Sequence, residues 1–177
     1  FQTSLPDWLH NWRGDGVVAR VRNPIFAKQL ARLRVPVVDI SGNVPDTGFP
    51  LVQIDNQAIA RLAASYLLEH GFRMLAFCGI RGQWWSRLRQ KVFEQIVRRS
   101  GRVEQAYHLP RMGEKMWFSE GERRRLARWI AGLPKPIGIM AANDWVGQKV
   151  LAACRRAGAM VPEEVAVLGV DNDEAIC

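Results

Sequence analysis

Four carboxylate and amide side chains follow two strand-like runs in the last third of the chain. The runs cover residues 137–142 and 165–169, and an amphipathic segment of helical length, residues 146–157, separates them. The four side chains are Asn143, Asp144, Asp171 and Asp173. Parallel strands joined by a helix present their carboxyl ends at one sheet edge, where ligands bind in open α/β folds. The pattern therefore indicates a small ligand rich in hydroxyl groups rather than a metal ion or a nucleophile.

A further group of side chains is expected at the same edge from residues 81–89, which follow a strand-like run ending at Ile80 and open a helix. This segment carries Trp84 and Trp85, which are unusual residues for a loop. A sugar-like ligand needs polar groups for its hydroxyls and an aromatic or apolar wall for its C–H surface. We therefore expect one of the two tryptophans to contact the ligand. The alternative is that one tryptophan lies in the core and the other covers it.

Asn143 and Asp144 have a second possible role, because either side chain could cap the helix that follows them. We favour Asp144 as the cap and Asn143 as the ligand contact. For Asp171, the alternative is a turn residue at the end of a strand. These assignments decide which of the side chains remain available for a ligand.

Residues that would indicate catalysis or metal binding lack the necessary spacing. The sequence contains no nucleophile elbow and no glycine-rich loop of the dinucleotide or Walker type. Its carboxylates form no pair at a convincing spacing. The histidines and cysteines are His10, His70, His108, Cys78, Cys154 and Cys177. None of them forms a metal-ligand pattern, so we expect no metal, no cofactor and no enzymatic activity.

The composition is that of a globular protein with a sizeable core. Hydrophobic residues make up 48% of the 177 residues, and the formal net charge is +8. A basic chain permits nucleic-acid binding, but the arginines lie in helix-like segments that we interpret as solvated faces. No apolar run approaches the roughly 20 residues of a membrane span, and no signal peptide is present. The unpaired cysteines are typical of the reducing cytosol, although a chain that begins without Met could have lost a leader.

Strand-like and helix-like segments alternate along the chain, which predicts βαβ units with parallel sheets. The strands are expected at residues 16–20, 35–40, 51–54, 74–80, 106–109, 137–142 and 165–169. The helices are expected at residues 1–12, 24–33, 55–70, 86–100, 119–133 and 146–157. Ser119 and Glu122 have the spacing of a capping box at the start of the fifth helix.

A loop rich in glycine and proline, residues 41–50, divides this pattern. We place a boundary near residues 50–57, with a partial N-terminal lobe at residues 1–54 and a C-terminal lobe at residues 55–177. A doubly wound sheet normally starts with a strand and covers its last strand with a helix. Because this chain starts with a helix-like segment and stops just beyond a strand, we expect it to be truncated at both ends.

Two segments resemble the sensor domains of LacI/GalR-type regulators. The first is Asp55 to Gly71 with LAFCG after it, and the second is MAANDWVGQKVLAACRRAGAMVPEEVAVLGVDND. The fragments GDGVVAR, PLVQIDN and GVDNDE look closer still to the xylose-responsive regulators. That group joins such a sensor to a C-terminal DNA-binding domain of the AraC type. The resemblance covers nearly the whole chain.

The resemblance implies an α/β fold of the periplasmic-binding-protein-like type I, with two doubly wound parallel-sheet lobes and a sugar between them. It also implies a homodimer. By position, Arg89, Asn143 and Asp171 match the hydroxyl-binding arginine, asparagine and aspartate of that family. Ala58 stands where some members have a polar contact, which leaves the choice of sugar open. DNA would be bound only through a helix-turn-helix domain missing from this chain.

The expected function is that of a cytoplasmic sugar sensor, the effector-binding domain of a transcriptional regulator that responds to xylose or a related pentose. Closure of the lobes around the sugar would control the attached DNA-binding domain, with Trp84 or Trp85 stacking on the ligand. One alternative is a transport-type periplasmic sugar-binding protein, which a secretory leader would indicate. The other is a small α/β enzyme, although no catalytic constellation is visible.

Overall fold

The chain forms two compact units, Phe1–Ile54 and Asp55–Cys177. The computed structural model describes residues 5–44, 46–100, 103–111, 113–114 and 119–177, and of residues 10, 11, 103 and 104 the backbone alone. Residues 1–4 and Gly101, where the sequence predicts a helix start and a helix end, lie outside the described residues. The identification of the two units as lobes of one sensor stays a prediction.

The first unit contains a small parallel sheet. Its elements are a 3-10 helix at Asp7–Asn11, strand β1 at Val17–Ala19, helix α1 at Pro24–Ala31 and strand β2 at Val37–Asp39. Asn23 caps α1 by accepting a hydrogen bond from the amide of Phe26 at 2.8 Å. Pro24 occupies the first helical position, as the sequence predicts, because it has no amide hydrogen to leave unpaired there. Strands β1 and β2 pair in parallel.

Two predictions for the first unit are wrong in their extent. The segment before Trp12 forms only the 3-10 helix in its described part, in which Leu5 and Leu9 are buried while Trp8 stays exposed. Leu51 makes an isolated bridge to Asp39, and no strand forms over residues 51–54. All four of those residues are exposed, so the side-chain burial that stabilises a strand is missing.

The second unit alternates helices and strands as the sequence predicts. Its helices are α2 at Asn56–Glu69, α3 at Trp84–Arg99, α4 at Glu120–Gly132 and α5 at Asp144–Ala157. Its strands are β3 at Met74–Ile80, β4 at Val103–Leu109, β5 at Ile137–Ala141 and β6 at Val165–Leu168. All four strands are parallel, in the order β4-β3-β5-β6.

This strand order has a topological switch point between β3 and β5, at the centre of the sheet. From β3 the chain crosses to β4 on one side, and it then returns to β5 on the other side of β3. The connections that leave β3 and β5 therefore run to opposite sides. The crevice between the carboxyl ends of these two strands is the position at which open α/β sheets bind ligands.

The sheet is buried between its helices by large apolar side chains. Those with almost no exposed surface in this unit include Leu67, Leu75, Phe77, Ile80, Phe93, Val97, Ile130, Ile137, Ile139 and Met140. They come from both central strands and from α2, α3 and α4. Strands buried on both faces read as continuous apolar runs, which is why the sequence located β3 and β5 with little error.

A buried carboxylate, Glu122, links α4 to the sheet. Ser119 caps α4 by accepting a hydrogen bond from the amide of Glu122 at 3.2 Å, as the sequence predicts. The Glu122 side chain does not complete the capping box but is buried, with 5% of the residue exposed. It accepts hydrogen bonds from the Tyr107 hydroxyl at 2.7 Å and from Arg125 Nε at 3.0 Å. Burial and this hydrogen bond raise the pKa of Tyr107 to about 12.

Replacing Glu122 with alanine is expected to lower the free energy of unfolding by about 2 kcal/mol, because the Tyr107 hydroxyl and the Arg125 guanidinium lose their acceptor. Urea unfolding followed by circular dichroism measures the change. Glu120→Ala is the matched control. Glu120 lies in the same helical turn and pairs with Arg124 and Arg156, but its exposed ion pairs contribute little. Equal effects of the two substitutions would contradict the assigned role of Glu122.

Candidate functional site

Arg89 lies at the carboxyl end of the central strands and is almost completely buried, with 2% of its surface exposed. Its Nε donates a hydrogen bond to Asn56 Oδ1 at 2.8 Å, and a terminal nitrogen donates to the carbonyl oxygen of Ala142. The ring of Trp85 lies over the guanidinium, with 5.1 Å between Cζ and the ring centroid. Burial lowers the pKa of Arg89, and the negative charge of Asp171 opposes that shift.

The first turn of α3 is fixed against β3, and this attachment sets the position of Arg89. Ser86 Oγ accepts a hydrogen bond from the amide of Ile80, the last residue of β3, at 3.0 Å. A Cβ at Gly79 would lie 2.7 Å from that hydroxyl oxygen. Only glycine allows this close approach of α3 to β3, since any larger residue would displace Ser86.

Helix α3 begins at Trp84, two residues earlier than the sequence predicts, so the two tryptophans lie in its first turn rather than in a loop. Both are partly exposed. Trp85 packs against the hydrophobic core and covers Arg89, four residues further along the helix. The structure therefore brings Trp85 together with Arg89. A ligand contact for either tryptophan stays a prediction.

The expected roles of Asn143 and Asp144 are wrong in one respect, because Asn143 is the helix cap. Its Oδ1 accepts a hydrogen bond from the amide of Val146 at 3.0 Å. Asn143 has an extended backbone and precedes the first helical residue, so its side chain reaches that amide, whereas Asp144 already belongs to α5. Asn143 is half-buried, and its amide nitrogen Nδ2 makes no hydrogen bond to any described protein atom.

Asp144 attaches the loop after β6 to the start of α5. Its backbone amide donates to the carbonyl of Val170 at 2.9 Å, and its Oδ2 accepts from the amide of Asp173 at 2.9 Å. The side chain is 6% exposed. A Cβ at Gly169 would overlap Asp144 Oδ1, so the close passage of the loop over this carboxylate requires glycine.

Asp171 lies in this loop with its side chain exposed and a backbone φ of 106°. Partial burial raises the pKa of Asp171, the Arg89 guanidinium acts in the opposite direction, and the carboxylates of Asp144 and Asp173 add to the rise. No ion pair joins Arg89 to Asp171 within the part of the chain that the structure describes. The charge of each residue nevertheless acts on the pKa of the other, so both lie at this end of the sheet. A ligand site shared by the two residues stays a prediction.

Asn56 is a polar residue of this site that the sequence interpretation missed. It is 4% exposed, and its contact with Arg89 joins residues 33 positions apart. A signal was present in the pair Asp55-Asn56, because only one of two neighbouring residues can cap a helix. Asp55 is that cap and accepts from the amides of Gln57 and Ala58, both at 2.9 Å.

Other chemical features of the described residues lie away from this edge. An open groove of about 550 Å³ on α4 and α5 is lined by Arg124, Ala127, Arg128, Ala131, Arg156 and Ala157. None of the candidate site residues lines it. No group of three or more His, Cys, Asp or Glu side chains in the described part could hold a metal ion. No helix there is both long and apolar enough to cross a membrane.

The sequence is similar to regulators of sugar metabolism. The xylose operon regulatory proteins of Haemophilus influenzae and Escherichia coli K12 are 28% and 30% identical to it over 177 and 175 aligned residues. The alignments cover 96% and 95% of this chain, but only 45% and 44% of those proteins. The chain thus spans less than half the length of the curated relatives that it matches.

Solved structures show the same architecture. The xylose-binding transcription activator xylR superposes with a TM-score of 0.79 at 30% identity, over 92% of this chain and 44% of that one. A periplasmic binding protein/LacI transcriptional regulator from Alkaliphilus metalliredigens, in complex with D-xylulofuranose, superposes with a TM-score of 0.72 at 21% identity, over 96% and 61%. The expected periplasmic-binding-protein-like type I fold is confirmed.

The resemblance to LacI-type sensors is confirmed by a match to a whole protein family. The family described as the periplasmic binding protein-like domain has a characteristic sequence pattern, and residues 64–176 match it, which is more than half of the chain. The matched residues include α3 with Arg89, the start of α5 and the loop that carries Asp171. This chain therefore belongs to the periplasmic binding protein-like domain family.

Proposed function

We propose that this chain is the effector-binding domain of a sugar-responsive transcriptional regulator, with xylose or a related pentose as the effector. The observation that carries the proposal is the buried guanidinium of Arg89. It donates hydrogen bonds to two neutral acceptors at the crevice between β3 and β5. The negative charge of Asp171 acts to raise its pKa. A fixed, desolvated fork of donors beside a carboxylate acceptor is suited to the paired hydroxyls of a sugar ring.

In this proposal each predicted site residue has its own role in binding the sugar. Arg89 donates to two ring oxygens from the N–H groups that Asn56 and Ala142 leave unused. Asp171 accepts from hydroxyls through its exposed carboxylate. Asn143 donates through Nδ2 while its Oδ1 caps α5. Trp84 or Trp85 supplies an apolar wall for the C–H face of the sugar.

The charges around the proposed site favour a neutral sugar over a sugar acid or sugar phosphate. Among the described residues, two other carboxylates, those of Asp144 and Asp173, act on the Asp171 carboxylate, and one cation, the Arg89 guanidinium, opposes them. The surplus of negative charge repels an anionic ligand in a partly desolvated site. A polyhydroxylated neutral ring, in contrast, uses both the donors and the acceptors of the site.

Isothermal titration calorimetry of the intact chain at pH 7 tests this proposal with D-xylose, L-arabinose, D-ribose and D-xylonate. We expect saturable binding of at least one neutral pentose, and binding of D-xylonate that is at least about 10-fold weaker because of its charge. D-xylonate has the carbon skeleton of xylose and differs in its terminal carboxylate. Absence of binding by every neutral sugar would contradict the proposed function, and tighter binding of D-xylonate would contradict the charge argument.

The action of the whole protein is part of the same proposal. The sugar would bias one arrangement of the sensor through a difference in affinity between two arrangements, and an attached helix-turn-helix domain of the AraC type would respond. The names of the xylose operon regulatory proteins support this proposal. We further propose a homodimer that acts in the cytoplasm. A gel-shift assay tests the coupling, using a protein that carries both this chain and the proposed DNA-binding domain, the gene's own upstream DNA, and the sugar present or absent.

A further inference from the structure

Asn56, the first residue of α2, contacts Arg89 of the proposed sugar site. Asp55 caps the helix with its own carboxylate, so the side chain of Asn56 is released from that role. Asn56 is buried, and its Oδ1 accepts a hydrogen bond of 2.8 Å from Arg89 Nε. The first residue of α2 is thereby bonded to a residue in the second turn of α3.

Three different groups hold the Arg89 guanidinium from three directions. Asn56 binds its Nε edge, the carbonyl of Ala142 binds one terminal nitrogen, and the ring of Trp85 lies over the plane. An arginine side chain otherwise has many rotamers, and fixing it on ligand binding costs entropy. Because this guanidinium is already fixed before any ligand arrives, that entropy cost is removed from the binding step.

Both hydrogen-bond acceptors of Arg89 are neutral, which distinguishes this arrangement from a buried ion pair. An amide oxygen and a backbone carbonyl satisfy two of the five N–H donors of the guanidinium without cancelling its charge. The charge therefore remains available to strengthen hydrogen bonds from the other N–H groups to a ligand oxygen. A carboxylate acceptor at the same place would orient the group equally well but compensate its charge.

We propose that Asn56 is a positioning residue of the sugar site, which fixes the plane of the Arg89 guanidinium through Nε and so sets the affinity for the sugar hydroxyls. The proposal rests on the proposed function and deepens it. Asn56 acts through Arg89, and the Trp85 ring and the Ala142 carbonyl complete the support. The sugar affinity consequently depends on the first turn of α2, which starts the second unit.

A double-mutant cycle on sugar affinity tests this role by calorimetry with the pentose that binds best. Asn56→Ala is expected to weaken binding at least about 10-fold when Arg89 is present, but less than about 2-fold in an Arg89→Lys background, where no Nε–H remains to be oriented. Equal losses in both backgrounds would overturn the proposal, because they would mean that Asn56 acts only on general stability. Gln57→Ala, at the exposed neighbouring position, is the matched control and should leave the affinity unchanged.

A conservative variant keeps the test decisive where Asn56→Ala folds poorly. Asn56→Asp retains an oxygen acceptor for Arg89 Nε but compensates part of its charge, so we expect its affinity to lie between those of the unsubstituted protein and of Asn56→Ala. An affinity as low as that of the alanine variant would overturn the proposal. In nitrogen-15 NMR spectra without sugar, the Arg89 Nε–H signal, identified by its loss in Arg89→Lys, should persist in Asn56→Asp and shift in Asn56→Ala.

The NMR result and the calorimetry distinguish a failure of this inference from a failure of the proposed function. The expected NMR shifts together with no binding of any sugar would contradict the proposed function alone. Sugar binding of equal strength by the unsubstituted protein and by Asn56→Ala would contradict the positioning role alone. An unchanged Arg89 Nε–H signal in Asn56→Ala would show that the hydrogen bond does not fix the guanidinium, and would also overturn the inference.

Discussion

Replacing Arg89 with alanine is expected to abolish measurable pentose binding, a loss of at least about 100-fold in affinity. The substitution removes a buried cation from the proposed site and with it several charge-assisted hydrogen bonds, each of which contributes about 1.5–3 kcal/mol in a desolvated place. Arg89→Lys is expected to bind more weakly than the unsubstituted protein but better than Arg89→Ala, because an ammonium keeps the charge and loses the planar fork. Calorimetry with the pentose that binds best measures all three proteins.

The control for Arg89 lies two residues away on the same helix. Arg87 is exposed, so Arg87→Ala removes the same functional group from α3 without changing the crevice, and its sugar affinity should stay within error of the unsubstituted protein. Urea unfolding of both variants separates loss of binding from loss of structure, because Arg89→Ala also leaves the acceptors on Asn56 and Ala142 without their donor. Unchanged affinity in a folded Arg89→Ala protein would refute the site assignment.

The position of the site at the sheet edge could be predicted because it depends on local signals. Apolar runs buried on both faces, followed by polar residues and amphipathic segments, located β3, β5 and β6 to within a few residues. Parallel pairing then followed from the alternation of strands and helices. The order β4-β3-β5-β6 could not be predicted in the same way, because local sequence does not determine which strand lies at which edge of the sheet.

The errors at Asn143 and Trp84 have a common origin in the exact start of a helix. Asparagine and aspartate cap helices about equally well, so two such residues in sequence leave the start of α5 uncertain by one position. The structure resolves it through the loop after β6, which engages the Asp144 carboxylate and leaves Asn143 as the cap. At α3 the aromatic pair gave no capping signal, and Gln83 makes no side-chain capping bond.

The contact between Asn56 and Arg89 could not be predicted from local sequence. The two residues lie 33 positions apart on different helices, and the packing of α2 against α3 brings them together. Burial of a polar side chain at the first position of a helix is a tertiary property. The resemblance to LacI/GalR-type sensors pointed to Arg89 but not to the group that orients it.

Replacing Asp144 with alanine is expected to have the second largest effect, on both stability and binding. The amide of Asp173 would lose its buried acceptor, which should lower the free energy of unfolding by about 2 kcal/mol. Asp171 lies two residues earlier in the same loop, with a left-handed backbone that is strained for aspartate, so a released loop would relax away from that conformation. We expect the pentose affinity to fall at least about 10-fold, as measured by calorimetry, with urea unfolding for the stability.

Two further variants identify the cause of the Asp144 effect. Asp144→Asn keeps an oxygen that can accept from the Asp173 amide and should retain most of the stability and affinity. Glu174→Gln removes an exposed carboxylate just beyond the loop and should change neither. If Asp144→Ala lost stability but bound sugar as tightly as the unsubstituted protein, the attachment of this loop would not be what presents Asp171 to the ligand. If Asp144→Asn were as impaired as Asp144→Ala, the negative charge of Asp144 would matter more than its hydrogen bond to the loop.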